Sequence, residues 1–462
     1  MRSAMSLHLL PTAFKHLYHT FSAHLPHTYR ATIMFTDRKD LRNFALFFLL
    51  YELTIYLSND MIMPAMLQVV REFKASSHAV SLSLSLYILG GSLLQIVLGP
   101  LAERFGKRRV MLAGNALFLL ATLLIPLANS IDQFLLARFF QGMGSCFIFI
   151  GYAMVHDLFD DADAVKLTTL LSNAGILAPL IGPVFGSAIV SHWPWQAVFG
   201  VSLLLGSTAF IGLYRFMPAH GQPGTHAAHV DAATILRAYQ TIFSNRRFMA
   251  GILIAAIAIT PLTAWIGLSP VIVMQHMKQP YATYILYQCV IFAGFILSTI
   301  AVQKLATNAS LNRMIRQGAW LALLGLGGLA GLGVLAMPGA AGQNNLVFMV
   351  GMFVFSMGLG LFNGGLIRLA MTATGVSMNL TSSAMSLLYC VYIALVLELY
   401  NLIGQHFAYS LASFALCNVP LAIIVFGGLM WFTRSAPVPA AAAAPAAPAA
   451  PAAEADARGV TA

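Results

Sequence analysis

NFALFFLLYELTIYLSNDMIMPAMLQV, from Asn43 to Val69, carries two acids, Glu52 and Asp60, in a run otherwise dominated by aliphatic and aromatic side chains. A helix needs about 20 mostly apolar residues to span the hydrocarbon core of a bilayer. The run is continuously apolar rather than alternating, which selects a helix over a barrel strand. Similar blocks recur at 79–100, 110–128, 133–156, 165–190, 196–216, 249–275, 281–303, 315–336, 346–368, 380–403 and 408–432. The expected fold is therefore all-α and integral to the membrane, with twelve spanning helices. The composition agrees: 59% of the 462 residues are hydrophobic and 9% are charged, against about 25% charged in a soluble domain.

The longest gap separates the sixth and seventh blocks. It opens with MPAHGQPGTHAAH and continues with VDAATILRAYQTIFSNRRF, where Ile235, Tyr239 and Ile242 share one side of a helix. That pattern predicts an interfacial helix lying along the membrane. The chain then divides into an N-terminal extension (1–41), a six-helix half (42–216), a connector (217–248), a second six-helix half (249–433) and an Ala/Pro-rich tail (434–462). The extension has no signal-peptide pattern, and its five histidines lack ligand spacing. It reads as a mobile tail, or as an over-long start with initiation at Met34. The tail lacks the apolar variety to pack and is expected to be disordered.

Lysine and arginine placement sets the orientation. With the N-terminus in the cytoplasm, only Arg71, Lys74 and Lys278 of the 25 lysines and arginines face outward, and Arg138 and Arg368 fall within spans. Both termini are therefore expected in the cytoplasm. The net charge of +10 reports these inner loops and not nucleic-acid binding. The four cysteines sit singly inside apolar blocks, as small buried residues do, and neither a metal nor another cofactor is expected.

A charge in mid-bilayer costs about 2.5–3.5 kcal/mol even on the lenient insertion scale. Glu52, Asp60, Arg138, Arg368 and Glu398 all fall within spans. Glu52 lies near the middle of the first span, and Asp60 about 12 Å nearer the outer face and about 80° around the helix, so one bundle-lining face can hold both. Arg138 enters the fourth span at the depth of Asp60, and an Asp60–Arg138 ion pair would neutralise both charges. Glu52 has no equally obvious partner; a lone carboxyl in an apolar cavity is readily protonated, which suits a proton carrier or a cation-recognition site. Arg368 and Glu398 lie near span ends, where anchoring or gate pairing is expected.

Three motifs carry a family resemblance. GPLAERFGKRRV (Gly99–Val110) holds Gly99 for close helix approach, Gly106 for a tight turn, and Glu103 with Arg104 to pair across the loop, beside Arg108 in a basic triplet. LLARFFQGMG (Leu135–Gly144) places Arg138 in the fourth span. APLIGPVFGS (Ala178–Ser187) combines Pro179 and Pro183, which remove backbone donors and bend a helix, with the flat strip of Gly182 and Gly186. These stretches resemble the major facilitator superfamily, with Glu103 for the usual Asp and Ser187 for the last Gly. YELTIYLSNDMIMPAM, RFFQG, GYAM and PLTAWIGLSP are similar to its twelve-span drug:proton antiporters.

The resemblance implies two pseudo-symmetric halves and alternating access. It implies proton and cation coupling through Glu52, Asp60 and Arg138, an inner gate at Gly99, Glu103, Arg104, Gly106 and Arg108, and an antiporter motif at Pro179, Gly182, Pro183 and Gly186. Together with position, it singles out Tyr56, Asn59, Met63, Tyr152, Leu262, Trp265 and Ile266 for the substrate pocket. The function it implies is proton-driven efflux of lipophilic neutral drugs of the chloramphenicol kind and of lipophilic cations, by a monomer embedded in membrane lipids. The rival on the same fold is a proton-coupled uptake symporter for a small nutrient. Neither HExxH, GxSxG nor an in-membrane histidine pair occurs, so an enzyme is not expected; GxxxxGK[ST] is also missing, which argues against ATP drive.

Overall fold

In the computed structural model, which describes residues 38–218, 232–305, 311–335, 341–407 and 410–434, the first apolar block forms α1 (Arg38–Asp60). The helix starts inside the expected N-terminal extension, with Asp40 in its first turn, where a negative charge complements the exposed N–H groups. The rest of the extension (1–37), the connector loop 219–231 and the tail from 435 onward lie outside the described residues. α1 stops at Asp60. A 3-10 turn follows, Met63–Ala65, opened by Pro64, and the chain resumes as α2 (Met66–Glu72).

The remaining blocks fold in sequence order. The second is a pair, α3 (His78–Leu93) and α4 (Gln95–Phe105), bent by 52°. The third is α5 (Lys107–Leu124). The fourth is α6 (Ile131–Gly142) and α7 (Ile148–Leu158), joined by a 3-10 segment. The fifth and sixth are α8 (Asp161–Val190) and α9 (Gln196–Phe216). The connector supplies α10 (Ala232–Ser244). The second half follows as α11 (Arg246–Ser269, continued by a π-helical turn to His276), α12 (Tyr281–Leu305), α13 (Leu311–Leu335), α14 (Ala341–Thr372), α15 (Met378–Phe407) and α16 (Leu411–Arg434).

Among the described residues, nine helices are long and apolar enough to cross a membrane, and the bent α3–α4 pair makes a tenth. The fifth and ninth blocks fall on α8 and α13, of 30 and 25 residues. Leu204, Leu324, Leu395 and Ile423 stand exposed on the outside of the bundle. In water such a belt would drive aggregation; in lipid it is solvated.

The two sets of six spans pack by one scheme. The first span packs on the fourth, fifth and sixth, the second on the fourth, and the third on the fourth and sixth; spans seven to twelve repeat each pairing. The halves meet where α3 lies on α15 and α8 lies on α12. Close approach is made by glycine: a Cβ on Gly142 would sit 2.0 Å from the Tyr87 carbonyl oxygen, and one on Gly90 2.1 Å from that of Phe139, so α3 and α6 touch along their backbones. In α10, Tyr239 and Ile242 are buried against α11 and α15, while Leu236 and Phe243 beside them are exposed.

Candidate functional site

The break at the end of α1 organises the site. Asp60 closes the helix and is buried, at 5% exposure. α8 presses its glycine strip against this break: a Cβ on Gly182 would lie 2.5 Å from Asp60 Cβ, and one on Gly186 would lie 2.0 Å from the Met61 carbonyl oxygen. The helix runs through Pro179 and Pro183 without interruption. A methyl at either glycine therefore forces backbone apart, and overpacking of this kind costs about 1–3 kcal/mol. Gly182→Ala and Gly186→Ala are each expected to lower the thermal unfolding midpoint of the purified protein. Gly200→Ala, on α9 with nothing within 4 Å of its added Cβ, is the control expected to leave it unchanged.

Arg138, in α6, is fully buried. The expected direct pair with Asp60 is not formed. The Arg138 guanidinium donates instead to Asn59 Oδ1 (2.7 Å), to Gln141 Oε1 (2.5 Å) and to Ser83 Oγ (3.1 Å), and lies 4.4 Å from the centre of the Tyr87 ring. Asn59 Nδ2 donates to Asp60 Oδ1 at 3.2 Å. The amide thus stands between the two charges: its oxygen takes the arginine and its nitrogen serves the carboxyl. Three acceptor oxygens and an aromatic face disperse the guanidinium charge without contact to the acid. Gln141 Nε2 goes on to Thr122 Oγ1 at 3.0 Å, so one polar chain ties together the first four spans.

Glu52 lies two turns before Asp60 and is 1% exposed. Its Oε1 accepts from the Tyr152 hydroxyl at 2.8 Å, while Oε2 is buried with no hydrogen-bond partner. Tyr152 is fixed in turn by Phe48, edge to face at 5.6 Å, which leans over Gly151. Tyr56, one turn on from Glu52, rests its ring against Gly175 of α8, where an added Cβ would sit 3.2 Å from the ring. Glu52 does not face lipid: its neighbours on α1 belong to a packed cluster with α7, α8 and α9.

Of the residues expected in a pocket, Tyr56, Asn59, Tyr152 and Ile266 are half-buried, whereas Met63, Leu262 and Trp265 are packed away. Met63 forms the 3-10 turn after α1. Trp265 stacks inside the second half among Tyr287, Phe348 and Phe414, at ring separations of 5.7, 5.0 and 5.6 Å. Large aromatic rings gain most from mutual burial, which draws Trp265 into the core instead of a cleft.

In the loop motif, Gly106 adopts φ 87° and makes the turn between α4 and α5. Glu103 and Arg104 are both exposed and do not pair; Arg104 lies 5.3 Å over the Phe105 ring. Beside this turn, Lys107 forms an ion pair with Asp157 at the end of α7. Arg108 donates to the Tyr214 carbonyl oxygen. Gly99 has no neighbour within 4 Å of an added Cβ. Arg368 is exposed, and Glu398 pairs with His78.

Sequence reasoning passed over Ser83, Tyr87 and Gln141. Gln141 follows Arg138 by three residues, so helical spacing alone marks it as a neighbour. Ser83 and Tyr87 come from another span, and only packing brings them in.

The Major Facilitator Superfamily profile matches residues 48–397. The chain is 36% identical over 395 residues to "Multidrug transporter MdfA" of Yersinia pestis bv. Antiqua (strain Angola), covering 85% of this chain and 94% of that protein. It is 36% identical over 347 residues to the protein of the same name in Escherichia coli O157:H7, covering 75% and 83%. Among solved structures, the D-xylose–proton symporter superposes with a TM-score of 0.65 at 12% identity, over 83% of this chain and 97% of that one. A bacterial homolog of the human lysosomal transporter Spinster gives 0.62 at 12%, over 86% and 98%. At such identities the structural matches speak for the fold alone.

Proposed function

This chain belongs to the major facilitator superfamily, and from that premise we propose that it is an integral membrane multidrug exporter driven by the proton gradient. The relatives at 35–36% identity over most of the chain are named as multidrug transporters, which supports drugs as the cargo. The observation that supports proton coupling is Glu52: a carboxyl buried among apolar side chains, held at one oxygen by Tyr152 and without a hydrogen-bond partner at the other.

In this reading the face carrying Arg38 and Arg434 is cytoplasmic. A lipophilic compound, neutral or cationic, enters between the halves from that side. It settles near Glu52 and the Asn59–Asp60–Arg138 chain and favours departure of a proton to the cytoplasm. The halves then rock about α3–α15 and α8–α12, the far face opens, and a proton arriving from outside displaces the drug. Coupling needs only that drug and proton bind in a mutually exclusive way; each then lowers the affinity for the other by the same factor. No step calls for a metal or an organic cofactor, and one chain contains both halves.

The test is transport in inverted vesicles with an imposed pH gradient. Adding chloramphenicol or a lipophilic cationic dye is expected to release protons from vesicles holding the protein, and from no control vesicles. Substrate movement without proton movement would discard antiport. Accumulation driven in the opposite sense would favour an uptake symporter.

A further inference from the structure

The halves are joined by polar contacts at the face opposite the chain ends. His78, in the first turn of α3, holds Glu398 of α15 at 2.6 Å through Nε2 and Oε2. Next to it, Ser77 Oγ donates to Gln275 Oε1 at 2.9 Å, from the first half to the π-helical end of α11. Further round, Gln68 Nε2 of α2 reaches the Tyr281 hydroxyl at the start of α12, at 3.4 Å. Beneath these lies apolar contact: a Cβ on Gly267 of α11 would meet Leu84 at 3.2 Å and Leu397 at 3.6 Å. All three polar contacts cross from one half to the other.

We propose that the His78–Glu398 pair is the latch of the far gate, which holds the two halves shut on that side and must part for the halves to open there. Its chemistry fits that task. Both side chains are about a third exposed, at 35% and 32%, so water competes for each and the pair is only modestly stabilising. A deeply buried pair would lock the gate, since parting it would leave two uncompensated charges. Here parting returns both groups to water. It also frees Glu398 Oε1, which in the closed state is buried with no hydrogen-bond partner, so opening relieves an unsatisfied acceptor. The latch therefore favours closure by a small margin that cargo or proton binding can overcome. The serine and glutamine contacts set the register of the same seam. The proposal rests on the alternating-access reading above.

The test is a distance measurement on the full chain in lipid nanodiscs. Spin labels replace the exposed Ser76 and Gln405, on either side of the seam, after Cys146, Cys289, Cys390 and Cys417 are changed to serine. His78→Ala and Glu398→Ala are each expected to raise the ratio of long to short distances about fivefold, the scale of one modest hydrogen-bonded contact. The double variant should show no more than either single one, and the swap of His78→Glu with Glu398→His should restore the parent distribution. Unchanged distributions in both single variants, or effects that multiply in the double one, would overturn the latch. If alanine prevents folding, His78→Asn and Glu398→Gln decide in the same way. A parent whose distances do not respond to chloramphenicol overturns latch and alternating access together. A parent that responds, with variants identical to it, overturns the latch alone.

Discussion

Arg138→Ala is expected to abolish drug-driven proton release in inverted vesicles and to lower the thermal unfolding midpoint of the purified protein, the largest combined loss of any single substitution considered. The guanidinium joins Ser83, Asn59 and Gln141 and lies on the Tyr87 ring. Removing it strands two amide oxygens in the interior, and each unsatisfied buried group costs about 1–3 kcal/mol. Asn59 then loses the contact that holds its nitrogen on Asp60. Lysine does not rescue the site. It carries the charge as a point on a flexible stem and lacks the planar fork that reaches three acceptors at once. Arg138→Lys should therefore keep part of the stability and little of the coupling. Full proton release with an unshifted melting curve in Arg138→Lys would show that the fork geometry has no role.

Glu52→Gln should split the substrates. Glutamine keeps the volume of the side chain, and its amide oxygen still accepts from the Tyr152 hydroxyl (2.8 Å from Oε1 in the parent), so folding is expected to survive. What disappears is a group able to alternate between neutral and anionic. Export of a lipophilic cation is expected to fall at least about tenfold, the effect of roughly 1.4 kcal/mol of lost charge attraction. Export of chloramphenicol, which is neutral, should persist where Asp60 carries the coupling. Asp60→Asn serves as the complement, with the Asn59 bridge left in place. If Glu52→Gln exports cation and neutral drug at parent rates, its buried carboxyl serves packing only. If both fall together, charge recognition is not separable at this residue.

Much of the architecture was legible in the sequence because lipid imposes a strong rule. Every backbone polar group in the hydrocarbon must be paired within its own helix, so each long apolar block becomes a spanning helix regardless of its neighbours. Glu52, Asp60 and Arg138 stood out for a related reason: a charge is costly in oil and survives only in protected surroundings. The partners of those charges were less legible. Equal depth of Asp60 and Arg138 suggested a direct pair, yet depth says nothing of rotation about each helix. The actual rotations bring Asn59 between the two and turn Arg138 toward Ser83 and Tyr87. Likewise, the family resemblance and position singled out Trp265 without saying which way its ring points, and the ring turns into an aromatic core.

The sequence by itself determined the twelve helical blocks, their order, and which few side chains carry charge into the membrane, because these follow from local hydropathy and helical period. Only the tertiary structure decided what those side chains touch: Tyr152 on Glu52, Asn59 between Asp60 and Arg138, Gly182 and Gly186 beneath the break in α1, and His78 on Glu398 across the two halves. Each of these contacts joins residues on different helices. Their meeting depends on how helices rotate and approach one another, which is set by side-chain packing over the whole interface and not by any short stretch of chain.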